Sequence, residues 1–409
     1  MASVNGLLAV LVVALAAARL FGNNWYGIHK PIGMGLLEGL PSSWEAVYFL
    51  AHPPTFLGDA APQLGIAPVA YRTYVNLYLF SQLYGWIGGT YWALAAVDVF
   101  FWVTGSICTY HLARRLGASD SGAAASAVLM AGSPLLVAFM WRQDLHLANV
   151  ASLPPGLWAA AALVQDDRSW LRVTAGLSFL LLYLSTSYQY QWIVAPAALI
   201  LAAFQPGLGP RRGLVVVAGA VALFLVLTAV LLAVFAIAGL GPQESRLGAV
   251  NQPGAPTTGR LAEATTLRAL LTILPGPQNI ATMVGAYQPV VFCAGLVGLA
   301  LVGKRAIGLG ILAVIVPLGF TTSYPTPWVA MTGYPIFYLG AGVACARSGA
   351  LTVTVLRRHA VRPRVATALG LSTVSELTVR LFLLTNVDLF GNPSFVLSWW
   401  NVYSPAQIH

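Results

Sequence analysis

Long apolar runs broken by short polar interruptions set the pattern of this chain. Runs near 4–21, 87–112, 120–140, 147–164, 170–186, 191–205, 213–240, 288–303, 306–320 and 327–346 approach or exceed the ~20 apolar residues a membrane-spanning helix needs. The pattern predicts an all-α, polytopic transmembrane helix bundle of about ten spans, with a long first outer loop. Several runs contain proline (Pro134, Pro154, Pro155, Pro196, Pro317 and Pro335), which a membrane helix tolerates when neighbouring groups satisfy the freed carbonyls. Kinked and tightly packed helices are expected.

The polar interruptions alternate in character. Connections at Arg114 and Arg115, at Asp166 to Arg172, at Arg211 and Arg212, and at Lys304 and Arg305 are short and basic, so they are expected on the cytoplasmic side. The alternate set then faces outward: a first loop over 22–86, the WRQDLH turn at 141–146, STSYQYQ at 185–191, a second long loop over 241–287, and TTSYPTPW at 321–328. Both termini fall inside in this assignment. The outer set carries most of the aromatic, amide and carboxylate side chains, and long loops of this kind usually carry function.

Composition agrees with the pattern and narrows it. Of 409 residues only 8% are charged and 58% are hydrophobic, against about 25% charged in a soluble domain, and mean hydropathy is +0.76. Soluble folds are excluded, and so are membrane β-barrels, whose alternating strands lower mean hydropathy. A formal charge of +9 does not point to nucleic acid, because the basic residues are scattered between apolar runs. Cys108, Cys293 and Cys345 all lie in apolar stretches without paired spacing, so neither a disulfide framework nor a zinc site is read. The run Gly6–Leu20 has no basic residue before it and is expected to be a retained first span.

No P-loop, GxGxxG, HExxH or GxSxG motif is present, which leaves twelve carboxylates to weigh. Glu38, Glu45 and Asp59 fall in the first outer loop. A carboxylate at the membrane interface can serve as general base toward a hydroxyl, and Asp59 is preferred because it follows Gly58 in a proline-rich loop with Gln63 nearby. The competing reading of Asp59 is a turn-capping residue, and Ser42-Ser43-Trp44-Glu45 reads equally well as the start of a helix. Arg142, Asp144 and His146 crowd one outer turn, suited to holding a phosphate and orienting a base, or simply to a polar helix end. Arg246 is a second candidate phosphate ligand through its planar guanidinium, with interface anchoring as the plain alternative. Asp98 lies within a span, where an acid must face the bundle interior or a cavity. A structural hydrogen bond is favoured there over a proton relay.

The segment 1–346 reads as the bundle with its two long outer loops. The segment 347–409 reads as a cytoplasmic or interfacial tail with room for one more span. It holds the basic cluster Arg357, Arg358, Arg362 and Arg364, then an apolar stretch interrupted by Glu376 and Arg380. Clustered arginines favour an anionic leaflet.

GDAAPQ (58–63), TYHLARRLGASDSGAAASAVLMAGSPLLVAF (109–139), DLHLANVASLPPGLWAA (144–160) and STSYQYQW (185–192) occur in an order and topology that resemble the GT-C superfamily of polytopic membrane glycosyltransferases, nearest to its bacterial YfhO-like branch. The resemblance covers roughly residues 1–205. It implies an inverting glycosyltransferase that moves a sugar from a polyprenyl-phosphate donor to a cell-envelope glycan, lipid or protein acceptor at the outer face. It places the catalytic carboxylate on Asp59 and the stabilisation of the leaving phosphate on Arg142 and Arg246; Glu45 and Asp144 stand as further candidate carboxylates, and His146, Tyr188 and Gln189 as candidate substrate-binding residues. The adjacent acid pair of many GT-C enzymes is absent from the first loop.

The partners implied are a polyprenyl-phosphate sugar and membrane lipid, not nucleic acid, in a bacterial inner (plasma) membrane. No cofactor is identified, and a divalent metal stays open. Two alternatives stand beside this reading: a transporter or lipid flippase, which needs a polar path around Asp98 and His111, and a non-catalytic membrane partner.

Overall fold

The computed structural model describes residues 90–133, 151–165, 289–321 and 333–391, together with Trp86, Trp170, Ile200, Val215, Ala218, Ala222 and Val226. Among these residues all regular structure is helical: α1 (Thr90–Leu116), α2 (Asp120–Ala131), α3 (Leu153–Gln165), α4 (Pro289–Val302), α5 (Lys304–Thr321), α6 (Tyr334–Arg358) and α7 (Pro363–Gly391). Six of these overlap runs expected to span. The expected spans over 4–21, 170–186, 191–205 and 213–240 lie outside the described residues, apart from isolated positions.

The turns between helices follow from local chemistry. Leu116 is followed by Gly117 at φ 104°, a left-handed conformation open to glycine. The Ala118 N–H there closes back on the Ala113 carbonyl at 2.9 Å. Ser119 then caps α2, its hydroxyl accepting from the Gly122 N–H at 3.2 Å. Asp120 in the first turn complements the helix dipole. Gly303 at φ 124° is the single residue between α4 and α5. Pro154 and Pro155 fall in the first turn of α3, where a missing N–H costs no internal bond.

The helix directions follow from which residues meet. Gly122 of α2 lies against Val343 and Ala346 of α6, and Ser126 against Leu339 and Gly342, so α2 and α6 are antiparallel. Gly295 of α4 faces Phe337 and Gly298 faces Gly340, so α4 and α6 are parallel. Gly105 of α1 meets Ala151, while Arg115 sits over the Trp158 ring at 5.6 Å, so α3 runs parallel to α1. The α1–α2 turn, the end of α3 at Gln165 and the α4–α5 turn therefore share one end of the bundle. Three of the four basic connections expected on one side begin there, which agrees with the alternation read from the sequence.

Small residues make these contacts. A Cβ added to Gly105 would stand 2.6 Å from the Ala151 carbonyl oxygen, and one on Gly295 2.7 Å from that of Phe337. In lipid, helices gain little hydrophobic energy by associating, so close backbone approach and interhelical hydrogen bonds must hold them. The Ser126 hydroxyl lies 2.7 Å from both the Gly122 and the Leu339 carbonyl oxygens, sharing its proton between its own helix and α6. Trp102, fully buried, donates its indole N–H to the Ala131 carbonyl at 2.9 Å and ties α1 to the end of α2. Helix α6 is the hub, touching α2, α4 and α7, with Phe337 and Tyr338 in the core.

The outside of the bundle is also apolar. Phe100, Val290, Leu296, Val297, Leu301, Ile307 and Ile311 are exposed, and Val215, Ala218, Ala222 and Val226 mark one exposed helical stripe. Such a surface suits lipid as solvent and would be a liability in water. Among the described residues one helix, Pro335–Arg358, is long and apolar enough to cross a membrane by length and composition.

Helix α6 continues past the expected end of its span at 346 to Arg358, and α7 returns from Pro363. The apolar run ends at Arg347, but Arg347 is exposed and no proline follows it until Pro363. Ala360, between the two helices, has φ 59°, a left-handed conformation that costs a Cβ-bearing residue about 1–2 kcal/mol. Ala360→Gly is therefore expected to raise stability by about 0.5–1 kcal/mol, after the extra freedom glycine has in the unfolded chain is set against the relief of strain. The thermal unfolding midpoint in detergent measures it.

Candidate functional site

The residues expected to do chemistry, Asp59, Glu45, Asp144, Arg142, His146, Arg246, Tyr188 and Gln189, lie outside the described residues, as does Glu38. What the structure does give is the frame to which their segments attach. The first loop leads into the N-terminus of α1, the segment 134–150 leaves the C-terminus of α2, and the loop over 241–287 leads into the N-terminus of α4. All three helix ends point away from the basic turns.

At the α1–α2 turn, Tyr110, Arg114 and Asp120 close on one another. The Arg114 Nε lies 2.9 Å from Asp120 Oδ1, and the Tyr110 hydroxyl donates to the same oxygen at 3.2 Å. Arg114 also donates to the Ala118 carbonyl. This network joins the end of α1 to the start of α2 and occupies Asp120, which makes it a clamp on the turn rather than a base awaiting substrate. The signal for it was present in the sequence as an arginine ending one helix and an aspartate opening the next. Arg115 is held over Trp158 of α3, a cation–π contact of the kind that fixes a guanidinium.

The two intramembrane groups a transporter would require are both on α1. Asp98 and His111 are thirteen residues apart on one unbroken helix, which separates their backbones by about 20 Å along the axis and about 220° around it. One local site cannot contain both. His111 packs edge-on against the Tyr110 ring at 5.2 Å, beside the basic turn. Buried Ser106 and Thr109 return their hydroxyls to the Trp102 and Gly105 carbonyls of their own helix, each at 2.8 Å, so they line no polar path. Among the described residues no group of three or more His, Cys, Asp or Glu side chains is placed to hold a metal ion.

The described helices thus form a bundle of parallel and antiparallel neighbours with small-residue contacts and its basic turns gathered at one end. This chain is similar in fold to ArnT. The match to the crystal structure of ArnT from Cupriavidus metallidurans in the apo state has a TM-score of 0.56 and 15% sequence identity. It covers 93% of this chain and 76% of the ArnT chain. The likeness is one of fold, and it agrees with the expected all-α helix bundle. No protein-family model matches the sequence, and a search of curated proteins finds no match.

Proposed function

We propose that this protein is an inverting glycosyltransferase of the GT-C type, within or near the YfhO-like branch. It transfers a sugar from a polyprenyl-phosphate donor to a cell-envelope glycan, lipid or protein acceptor at the outer membrane face. The observation that carries this reading is the ArnT-like fold over 93% of the chain. It is supported by the polar outer segments of the sequence, which connect to helix ends opposite the basic turns.

In the reaction, the Asp59 carboxylate takes the proton of the acceptor hydroxyl, whose oxygen forms a bond to the anomeric carbon. The bond from that carbon to the phosphate oxygen breaks, and polyprenyl phosphate leaves with the electron pair. A base held within hydrogen-bond reach contributes about a hundred- to ten-thousand-fold in rate. Arg142 and Arg246 neutralise the charge that develops on the leaving phosphate, help that counts for most when the donors are fixed in advance in a water-poor site. His146 orients the phosphate, and Tyr188 and Gln189 offer hydroxyl and amide groups for the sugar. Glu45 and Asp144 are the carboxylates next in line for the base.

The test is transfer of radiolabelled sugar from a panel of polyprenyl-phosphate donors to extracted envelope lipid, by purified protein in lipid. Labelled acceptor is expected from at least one donor. Its absence across the panel, with the protein folded, would overturn the reading. Within an active pair, Arg142→Gln and Arg246→Gln are each expected to lower kcat/KM by about tenfold to a few hundredfold, as lost charge-assisted hydrogen bonds to phosphate do. Steady-state kinetics with varied donor checks this.

A further inference from the structure

We propose that the hairpin made by the end of α6 and the start of α7 is a docking element for the headgroups of anionic lipids. Gly349 and Gly370 face one another at its base, their carbonyl oxygens 2.9 and 2.6 Å from where the other's Cβ would be. From Gly349 to Arg358 is nine residues, so the hairpin projects about 14 Å beyond the contact of Gly349 with Gly370. That length exceeds the roughly 5–8 Å of headgroup layer on one side of a bilayer, so the hairpin is long enough to keep its stem in hydrocarbon and bring its tip to the lipid phosphates.

Its charge is of one sign. Between 347 and 375 the chain carries Arg347, Arg357, Arg358, Arg362 and Arg364 and no Asp or Glu. All five arginines are exposed, and none takes part in an ion pair among the described residues. The first acid beyond them, Glu376, is already paired with Arg380 at 2.7 Å. Four of the arginines sit at the tip, where the carbonyl end of α6 and the amide end of α7 also meet.

The stem below the tip is dressed for lipid rather than water. Leu351 is 65% exposed, and Val355, Val365, Leu369 and Leu371 are exposed with it. Five of its hydroxyls need no water: Ser348, Thr352, Thr354, Thr367 and Thr373 each donate to the carbonyl four residues earlier, at 2.9 to 3.1 Å. Self-satisfied hydroxyls, apolar flanks and terminal guanidinium groups are the arrangement in which long cationic side chains keep their stems in hydrocarbon and their heads among phosphates. A second copy of the chain is a poor occupant, because two such tips repel. An anionic leaflet supplies the opposite charge, and clustered arginines at a juxtamembrane position are drawn to it.

The experiment is native mass spectrometry of the full-length protein released from an equal mixture of phosphatidylglycerol and phosphatidylcholine. It compares wild type with Arg357→Gln, Arg358→Gln, Arg362→Gln and Arg364→Gln combined, and with the corresponding four lysine changes. Wild type is expected to retain phosphatidylglycerol over phosphatidylcholine. The glutamine variant is expected to lose that preference severalfold, and the lysine variant to keep most of it. Equal retention of the two lipids by wild type, or an unchanged preference in the glutamine variant, would overturn the proposal. So would a dimer in the wild-type spectra that the glutamine variant lacks, with no lipid preference in either. Thermal midpoints of the variants within a few degrees of wild type confirm that the fold survives, and the result is independent of sugar transfer.

Discussion

Gly340→Leu is expected to prevent stable packing of the bundle, lowering unfolding free energy by about 3 kcal/mol or more and sharply reducing folded protein in detergent. A Cβ at this position meets the Gly295 carbonyl, and a Cβ on Gly298 would meet the Gly340 carbonyl from the other side. The obstacle is backbone in both directions. Adding bulk to a packed core typically costs about 1–3 kcal/mol when side chains can shift. Here α4 itself must move, and with it the neighbours of Phe292 and Phe337, whose rings lie 4.9 Å apart. Ala350→Leu, at an exposed position on the same helix, should change stability by less than about 0.5 kcal/mol. Unfolding in mixed micelles of increasing denaturing detergent measures both. Equal stability of Gly340→Leu and wild type would show that α4 and α6 do not approach at these glycines.

Asp59→Asn is expected to lower the rate of sugar transfer by about a hundred- to ten-thousand-fold, the contribution of a positioned general base. Donor binding and the thermal midpoint should hold, since asparagine keeps the size and much of the hydrogen bonding of the side chain. Glu45→Gln and Asp144→Asn are expected to cost far less. Single-turnover transfer with saturating donor separates the chemical step from binding. A rate close to wild type in Asp59→Asn, alongside a large loss in one of the other two, would move the base to that residue.

Among the described residues the helices were legible because lipid imposes length and apolarity directly on sequence. The start of α2 at Asp120 and the break between α4 and α5 followed from apolar runs that stop at the basic connections of Arg114 and Arg115 and of Lys304 and Arg305. The grouping of basic turns was legible for the same reason, since arginine and lysine avoid the hydrocarbon. The length of α6 was not: Arg347 interrupts the apolar count, yet a single exposed arginine on a helix flank does not stop a helix. The pairing of helices was also hidden, because Gly298, Gly340, Gly342 and Ser126 look alike in sequence whether they face lipid or another backbone. The Tyr110–Asp120–Arg114 clamp could be suspected only as an arginine and an aspartate flanking a turn. For the catalytic candidates, Asp59 foremost, the sequence reading stands on the loop in which each lies, and the described residues bear on it only through the helix ends to which those loops connect.

The most direct test of the account follows two signals at once in proteoliposomes containing the wild-type protein. A polyprenyl-phosphate sugar labelled on the sugar is supplied with acceptor lipid, and both labelled product and movement of donor across the bilayer are recorded. The account predicts labelled product, formed without net movement of donor and lost in Asp59→Asn. Movement of donor across the bilayer with no labelled product would contradict it and make the protein a carrier of lipid-linked sugar.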